Sequence, residues 1–234
     1  MSQHILEGNP PITVVVRRSS RARKISLRVS QLDGKVTLTI PMKTNEKEAL
    51  SFAAEKEAWL RRHLGARPDQ VQITHGAVIP FRGQEVLIVP GAGRGVTLHD
   101  GEQGAELHVG GANERAGARV LGFMKQSARD TLCARSDFYA ARLGREYSRL
   151  TIRDTRSRWG SCSSQKALMY SWRLIMAPPE VLDYVAAHEV AHLAQMNHSA
   201  AFWDQVHRIH GPYDAPRNWL RQNGGHLHRF RFGD

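Results

Sequence analysis

The segment His188-Glu189-Val190-Ala191-His192 places two imidazoles four residues apart, with a carboxylate beside the first. On an α-helix, positions four apart lie about 6 Å from one another along one face, so both rings can reach a single cation. Glu189 projects in an adjacent direction, from which it can act as general base on a metal-activated water without being a ligand. His198 follows downstream, giving the spacing HExxHxxxxxH. A helix ending around 195 to 197, with Asn197 in a turn, would swing His198 back to the same ion. Three imidazoles leave a fourth position open, as a catalytic zinc site requires. Imidazole suits zinc and is a poor match to the oxygen-rich shell of magnesium. The competing interpretation is a core helix with hydrogen-bonded histidines and Glu189 in an internal salt bridge. It needs a separate partner for each of three desolvated polar groups, whereas one divalent cation satisfies them together.

The elements around this motif follow from pattern. VLDYVAAHEVAHL has helical spacing, and Pro178-Pro179 suit a helix entrance. Residues 148–153 and 167–175 read as strands on either side of the polar turn RSRWGSCSSQK. Residues 113–143 read mostly as a helix, with Leu121, Met124 or Lys125, Ala128, Leu132 and Arg135 on successive turns and Gly144 at its end. Beyond the motif, helices are expected from Ser199, as cap, to His210 and at about 214–222. The final GGHLHRFRFGD is expected to trail on the surface.

Toward the N-terminus, ITVVV (12–16), ISLRV (25–29) and KVTLTI (35–40), with the turn pair Asp33-Gly34, predict a small antiparallel sheet. Residues 45–64 change to helical period, with Phe52, Trp59 and His63 on one stripe and Ala49 and Leu60 widening its apolar flank. Residues 71–109 form a second strand-rich patch. Its GAGRG (91–95) lacks the lysine and Ser/Thr of a phosphate loop and reads as an ordinary hairpin or loop.

Arg158-Trp159-Gly160-Ser161-Cys162-Ser163, then Pro179-Glu180-Val181-Leu182-Asp183-Tyr184-Val185, HEVAHL, and Asn197-His198-Ser199 before Phe202-Trp203, resemble the YgjP-like metal-dependent hydrolases. These are grouped with the WLM proteins and are distantly similar to SprT and other zinc metallopeptidases. The resemblance covers about 148–223 strongly and extends to 12–64. It implies an α+β fold: a zincin-like catalytic module over 113–234, whose HExxH helix packs near a small sheet. A strand-rich N-terminal region with one helix (45–64) would precede it over 1–112, the two forming one compact unit. It implies His188, His192 and His198 as zinc ligands, Glu189 as general base, and Arg158 near the metal. Position 195 is Gln where the metzincin pattern has Gly, so that family's turn geometry does not transfer.

Other residues rank below these. The guanidinium of Arg158 can hold a substrate carboxylate or phosphate, or it can form a structural salt bridge. Arg153 and Arg156 are weaker candidates. Tyr184, Trp203 and Trp219 read first as packing residues. His207, His210 and Asp204 are conceivable supports for the ligands. Cys162 lacks the histidine arrangement of a cysteine hydrolase, and with Cys133 it makes a pair too sparse for a disulfide scaffold.

The leading function is therefore a zinc-dependent hydrolase, a metallopeptidase acting on a peptide or protein substrate. A nucleotide pyrophosphatase or phosphohydrolase using the same metal site is the alternative, its substrate a nucleotide or other phosphorylated molecule. A nucleic-acid-associated binding module is a third. The chain of 234 residues carries a formal charge of +11, which favours polyanionic partners without specifying a fold. Its basic clusters lie at 17–28 and 142–158. With no leader-like N-terminus and no apolar run of membrane length, the expectation is a soluble cytoplasmic protein without a membrane partner.

Overall fold

Ile12, Val14 and Val16 share one face of a strand with Val36, Leu38 and Ile40 of its neighbour, and all six are buried. This alternation builds the sheet of the first unit in a computed structural model that describes residues 2–30, 34–65, 69–102 and 104–233. The strands are β1 (Ser2–Leu6), β2 (Ile12–Ser19), β3 (Ser26–Val29) and β4 (Val36–Pro41), in the order β1-β2-β4-β3. The sheet is mixed, not antiparallel throughout, because β2 and β4 pair in parallel. The two most apolar strands take the centre, where both edges are hydrogen-bonded and burial is greatest. Of the turn pair Asp33-Gly34, Asp33 lies outside the described residues, and Gly34 has φ 68°.

The helical stretch is two helices, α1 (Glu46–Glu55) and α2 (Glu57–Gly65), where one was expected. Lys56 leaves helical geometry at φ −94°, ψ 12°, and its N–H is shared between the carbonyls of Phe52 and Ala53. That break puts the buried stripe on Ala49, Ala53 and Leu60, leaving Trp59 and His63 in tilted ring contact at 4.2 Å on its flank. Asn45 caps α1 by accepting from Lys47 N at 2.9 Å.

The chain divides into Met1–Asp69 and Gln70–Asp234. The expected boundary at 112/113 falls inside the second unit. Ahead of it lie β5 (Val71–Gln72), β6 (Val78–Phe81), β7 (Gln84–Gly91), β8 (Val96–Gly101) and β9 (Gly104–Gly110). The last four form a sheet in the order β6-β7-β9-β8. Ile79, Phe81, Ile88 and Leu107 from that sheet belong to the same core as Val120, Met124, Val181 and Val185 further along. A shared core, and not the change in composition, sets the boundary.

A long helix, α3 (Ala116–Leu143), follows; Val120, Met124, Ala128 and Leu132 bury its i, i+4 stripe, and Gly144 ends it in the left-handed region at φ 67°. The second sheet of this unit contains β10 (Arg149–Arg153), β11 (Gly160–Cys162) and β12 (Ala167–Ser171) in the order β10-β12-β11. Its edge strand β11 comes from the segment expected to be only a turn. The strand expected to run to 175 stops at Ser171, and Trp172–Met176 is a buried 3-10 turn.

Three helices complete the unit: α4 (Pro179–Ala191), α5 (Ala200–His210) and α6 (Asp214–Asn223). The C-terminal segment does not trail. Leu227, Phe230 and Phe232 are buried, and a two-residue strand, β13 (Phe230–Arg231), pairs in parallel with β5. Arg173 holds this segment down, donating to the Leu227 carbonyl at 2.9 Å while gripping Asp154 through Nε at 2.8 Å and Nη2 at 3.1 Å. Among the described residues, no helix is long and apolar enough to cross a membrane.

Candidate metal centre

Pro179 opens α4, and its buried side Val181, Leu182, Val185 and Ala186 locks the helix into the core. That packing fixes the direction of the final turn, which carries His188 and Glu189. The helix ends at Ala191, earlier than the 195–197 expected. Leu193 N and Ala194 N bond three residues back, to Val190 and Ala191, which tightens the chain into 3-10 turns. His192 therefore stands at the helix end with φ −63°, ψ −17°.

Asn197 turns the chain with its side chain, Oδ1 accepting from Ser199 N at 3.2 Å. Ser199 stands at the N-cap of α5, but its hydroxyl makes no capping bond. The return brings His198 to the other two histidines. One ring nitrogen from each of His188, His192 and His198 lies within 4.8 Å of the others. The Nε2 atoms of His188 and His198 are 3.1 Å apart. Two nitrogens on one tetrahedral zinc stand about 3.3 Å apart, given zinc–nitrogen bonds of about 2.0–2.1 Å.

The donor chemistry fits a borderline cation such as zinc. The Gln195 carbonyl can only accept, so the 2.9 Å contact from His192 Nδ1 places that ring's proton on Nδ1 and leaves Nε2 as a lone-pair donor. Burial, then the neighbouring His192 and His198, push His188 down to about 3, so its ring is neutral near pH 7. Burial also lowers His192, against the opposing pull of the Gln195 carbonyl. Neutral rings with nitrogens converging at this distance form a set that one divalent ion satisfies.

Phe202 of α5 is the wall behind all three imidazoles. It is fully buried, stacks on His192 at 4.4 Å, and meets His188 and His198 edge-on at 4.9 and 4.8 Å. Trp203 lies 5.7 Å from His188 and 5.8 Å from His198, with Arg217 over its ring at 4.5 Å. Phe202, Gly160, Arg217 and the Gln195 carbonyl were not identified as parts of a site from sequence. Only Phe202 carried a usable signal, standing one helical turn after His198.

Ser157, Arg158, Gly160, Ser161, Cys162 and Met196 join the three histidines and Glu189 around a cavity of about 470 Å³. Glu189 is 6% exposed. Burial pushes its carboxyl up to about 8, with the Arg158 charge drawing it back. The Arg158 side chain makes no ion pair among the described residues, so the salt-bridge alternative for it finds no partner. Cys162 faces the same cavity as a thiol, pushed up to about 11 by burial and then by the Glu189 charge.

Among the lesser candidates, Tyr184 and Trp203 pack beside the histidines and the others lie away from them. Arg153 and Arg156 do not line this cavity. Tyr184 is buried, with its hydroxyl 3.5 Å from His188 Nδ1. His210 packs on Tyr184 at 6.0 Å, whereas His207 and Asp204 are exposed.

No curated protein sequence matches the chain. A solved structure, the metallopeptidase zymogen of Pyrococcus abyssi abylysin, is similar at 21% identity over 42% of this chain and 92% of that chain, with a TM-score of 0.34. The family model described as YgjP-like, metallopeptidase domain, matches residues 23–223, and the chain belongs to that family of metal-dependent peptidases.

Proposed function

We propose that the protein is a zinc-dependent metallopeptidase in which His188, His192 and His198 hold the ion and Glu189 is the general base. The observation that carries this is the convergence of three ring nitrogens within 4.8 Å beside a carboxylate in the same cavity. When bound, zinc supplies a Lewis acid that acidifies water and polarises a scissile carbonyl. Glu189 takes the proton of the attacking water and passes it to the leaving nitrogen. Its place on the wall of the same cavity as the three histidines puts it within reach of both transfers. Arg158, exposed and unpaired at the cavity wall, is available to a carboxylate of the substrate or to negative charge developing on it. The same group would serve a phosphate, which keeps a phosphohydrolase as the second possibility.

The test is to assay one zinc-loaded preparation against a peptide library and against nucleoside triphosphates. Peptide cleavage is expected, and Glu189→Gln should keep its zinc while losing about 100-fold or more in turnover. Pyrophosphate release without peptide cleavage overturns the substrate. Normal turnover by zinc-loaded E189Q overturns the base.

A further inference from the structure

The basic cluster at 17–28 divides by role. Arg18 is structural: its Nη1 donates to the carbonyls of Met42 and Thr44, both at 2.9 Å, and its Nη2 lies 3.5 Å from Glu46. Arg17, Arg21, Arg23, Lys24 and Arg28 are exposed, and their side chains form no ion pair among the described residues.

Register shows where they point. Val14, Val16, Leu38 and Leu27 face the core that contains Ala49, Ala53 and Leu60, so α1 and α2 lie on that side of the sheet. Arg17 is on the opposite face, in a cross-strand row with Thr39 and Ser26. Arg28 is on that same face in the next row, beside Thr37. Arg21, Arg23 and Lys24 occupy the connection that leads into β3. The acids Glu46, Glu48, Glu55 and Glu57 all ride on the helices. Asp33 is the sole acid between 8 and 45 in the sequence, and it lies outside the described residues.

We propose that this face of the sheet, with the β2–β3 connection, is a docking surface for the phosphate backbone of duplex DNA. Unpaired guanidinium forks match phosphate oxygens, and the hydroxyls of Thr37, Thr39 and Ser26 add neutral donors of the kind that position a protein on a backbone. The rows just described hold no aromatic ring on which an unpaired base would stack, which disfavours a single strand. Duplex RNA is recognised mostly by its A-form shape and by 2′-hydroxyl contacts across its minor groove, whereas the charged groups of this surface are phosphate-directed cations. The surface reads no base edges, so binding should be independent of sequence and sensitive to salt.

The experiment measures anisotropy of a labelled 20-base-pair DNA with the full chain from 50 to 200 mM salt. Each substituted phosphate contact should flatten the slope of log K against log salt by about 0.9. R21S/R23S/K24S should therefore flatten it by about 3 and weaken binding at least about 10-fold at low salt. R17S/R28S reads the same surface from the sheet if the connection variant melts early by circular dichroism. The charge-matched R142S/R145S/R149S should bind like the wild type. Equal loss in that control, no binding at 50 mM salt, or tighter binding of single strands, duplex RNA or phosphatidylserine vesicles overturns the proposal. None of these outcomes depends on zinc or on peptide cleavage.

Discussion

Gly160 and Glu189 are in such close contact that a Cβ on Gly160 would stand 2.5 Å from Glu189 Cγ and 2.6 Å from its Oε1. The edge strand β11 thus reserves the space occupied by the carboxylate beside the histidines. A methyl group there must push Glu189 aside, because β11 is held by its register with β12, Gly160 opposite Tyr170.

Gly160→Ala is expected to lower peptide turnover by about 100-fold, the cost of misplacing a catalytic group by about 1 Å. Zinc content should be unchanged, because the three atoms nearest the added methyl all belong to Glu189 and not to a histidine. Kinetics alongside metal analysis of the purified variant checks both halves; loss of zinc together with activity would point to a wider collapse.

Phe202→Ala removes the surface against which all three imidazoles rest. Thermal or denaturant unfolding should show about 3–5 kcal/mol of lost stability, the usual cost of truncating a buried phenylalanine. Zinc affinity, measured by competition with a chelator, should fall as well, since the rings then lose their shared packing surface and keep only contacts such as the Gln195 carbonyl on His192. Phe202→Leu, which keeps most of the volume, should recover more of both. An alanine variant with wild-type zinc affinity would show that the rings are held by other contacts.

His228 is buried against Trp159, with ring centroids 5.2 Å apart. Burial, then the Arg173 charge, push it down from 6.5 to about 4, with Asp154 opposing. The unfolded chain therefore takes up this proton first as pH falls. The stability contributed by neutral His228 is complete above pH 6.5 and is lost progressively from 6.5 toward 4. Zinc-loaded H228Q should show a shallower decline in stability than the wild type across that interval, measured by denaturant melts at each pH. Parallel curves would mean that His228 titrates alike in the folded and unfolded chains.

Much of the site was legible because helical period is local. Positions 188, 189 and 192 are placed by the last turn of α4 and its C-cap, and the prolines before the helix mark its entrance in any context. The αL glycine after α3 and the β-branched runs of β2 and β4 are equally local signals. What the pattern left open were the pairings. Whether β4 joins β2 or only β3 depends on which strands bury most in the centre of a sheet. The single helix expected over 45–64 splits because Lys56 departs from helical angles at one residue, with no proline or glycine there to announce it.

By itself, then, the sequence determined which side-chain types could bind a metal or carry a proton and which of them share a helical turn. The tertiary structure decided how the rest converge. His198 reaches the other two histidines only because the chain tightens after Ala191 and turns at Asn197. Glu189 fits only because Gly160, on a different element, leaves it room. The C-terminal segment, glycine-containing and charged to the eye, is buried because Leu227, Phe230 and Phe232 join the core and Arg173 donates to its carbonyls. Each of these depends on contacts between residues distant in the chain, which no local period encodes.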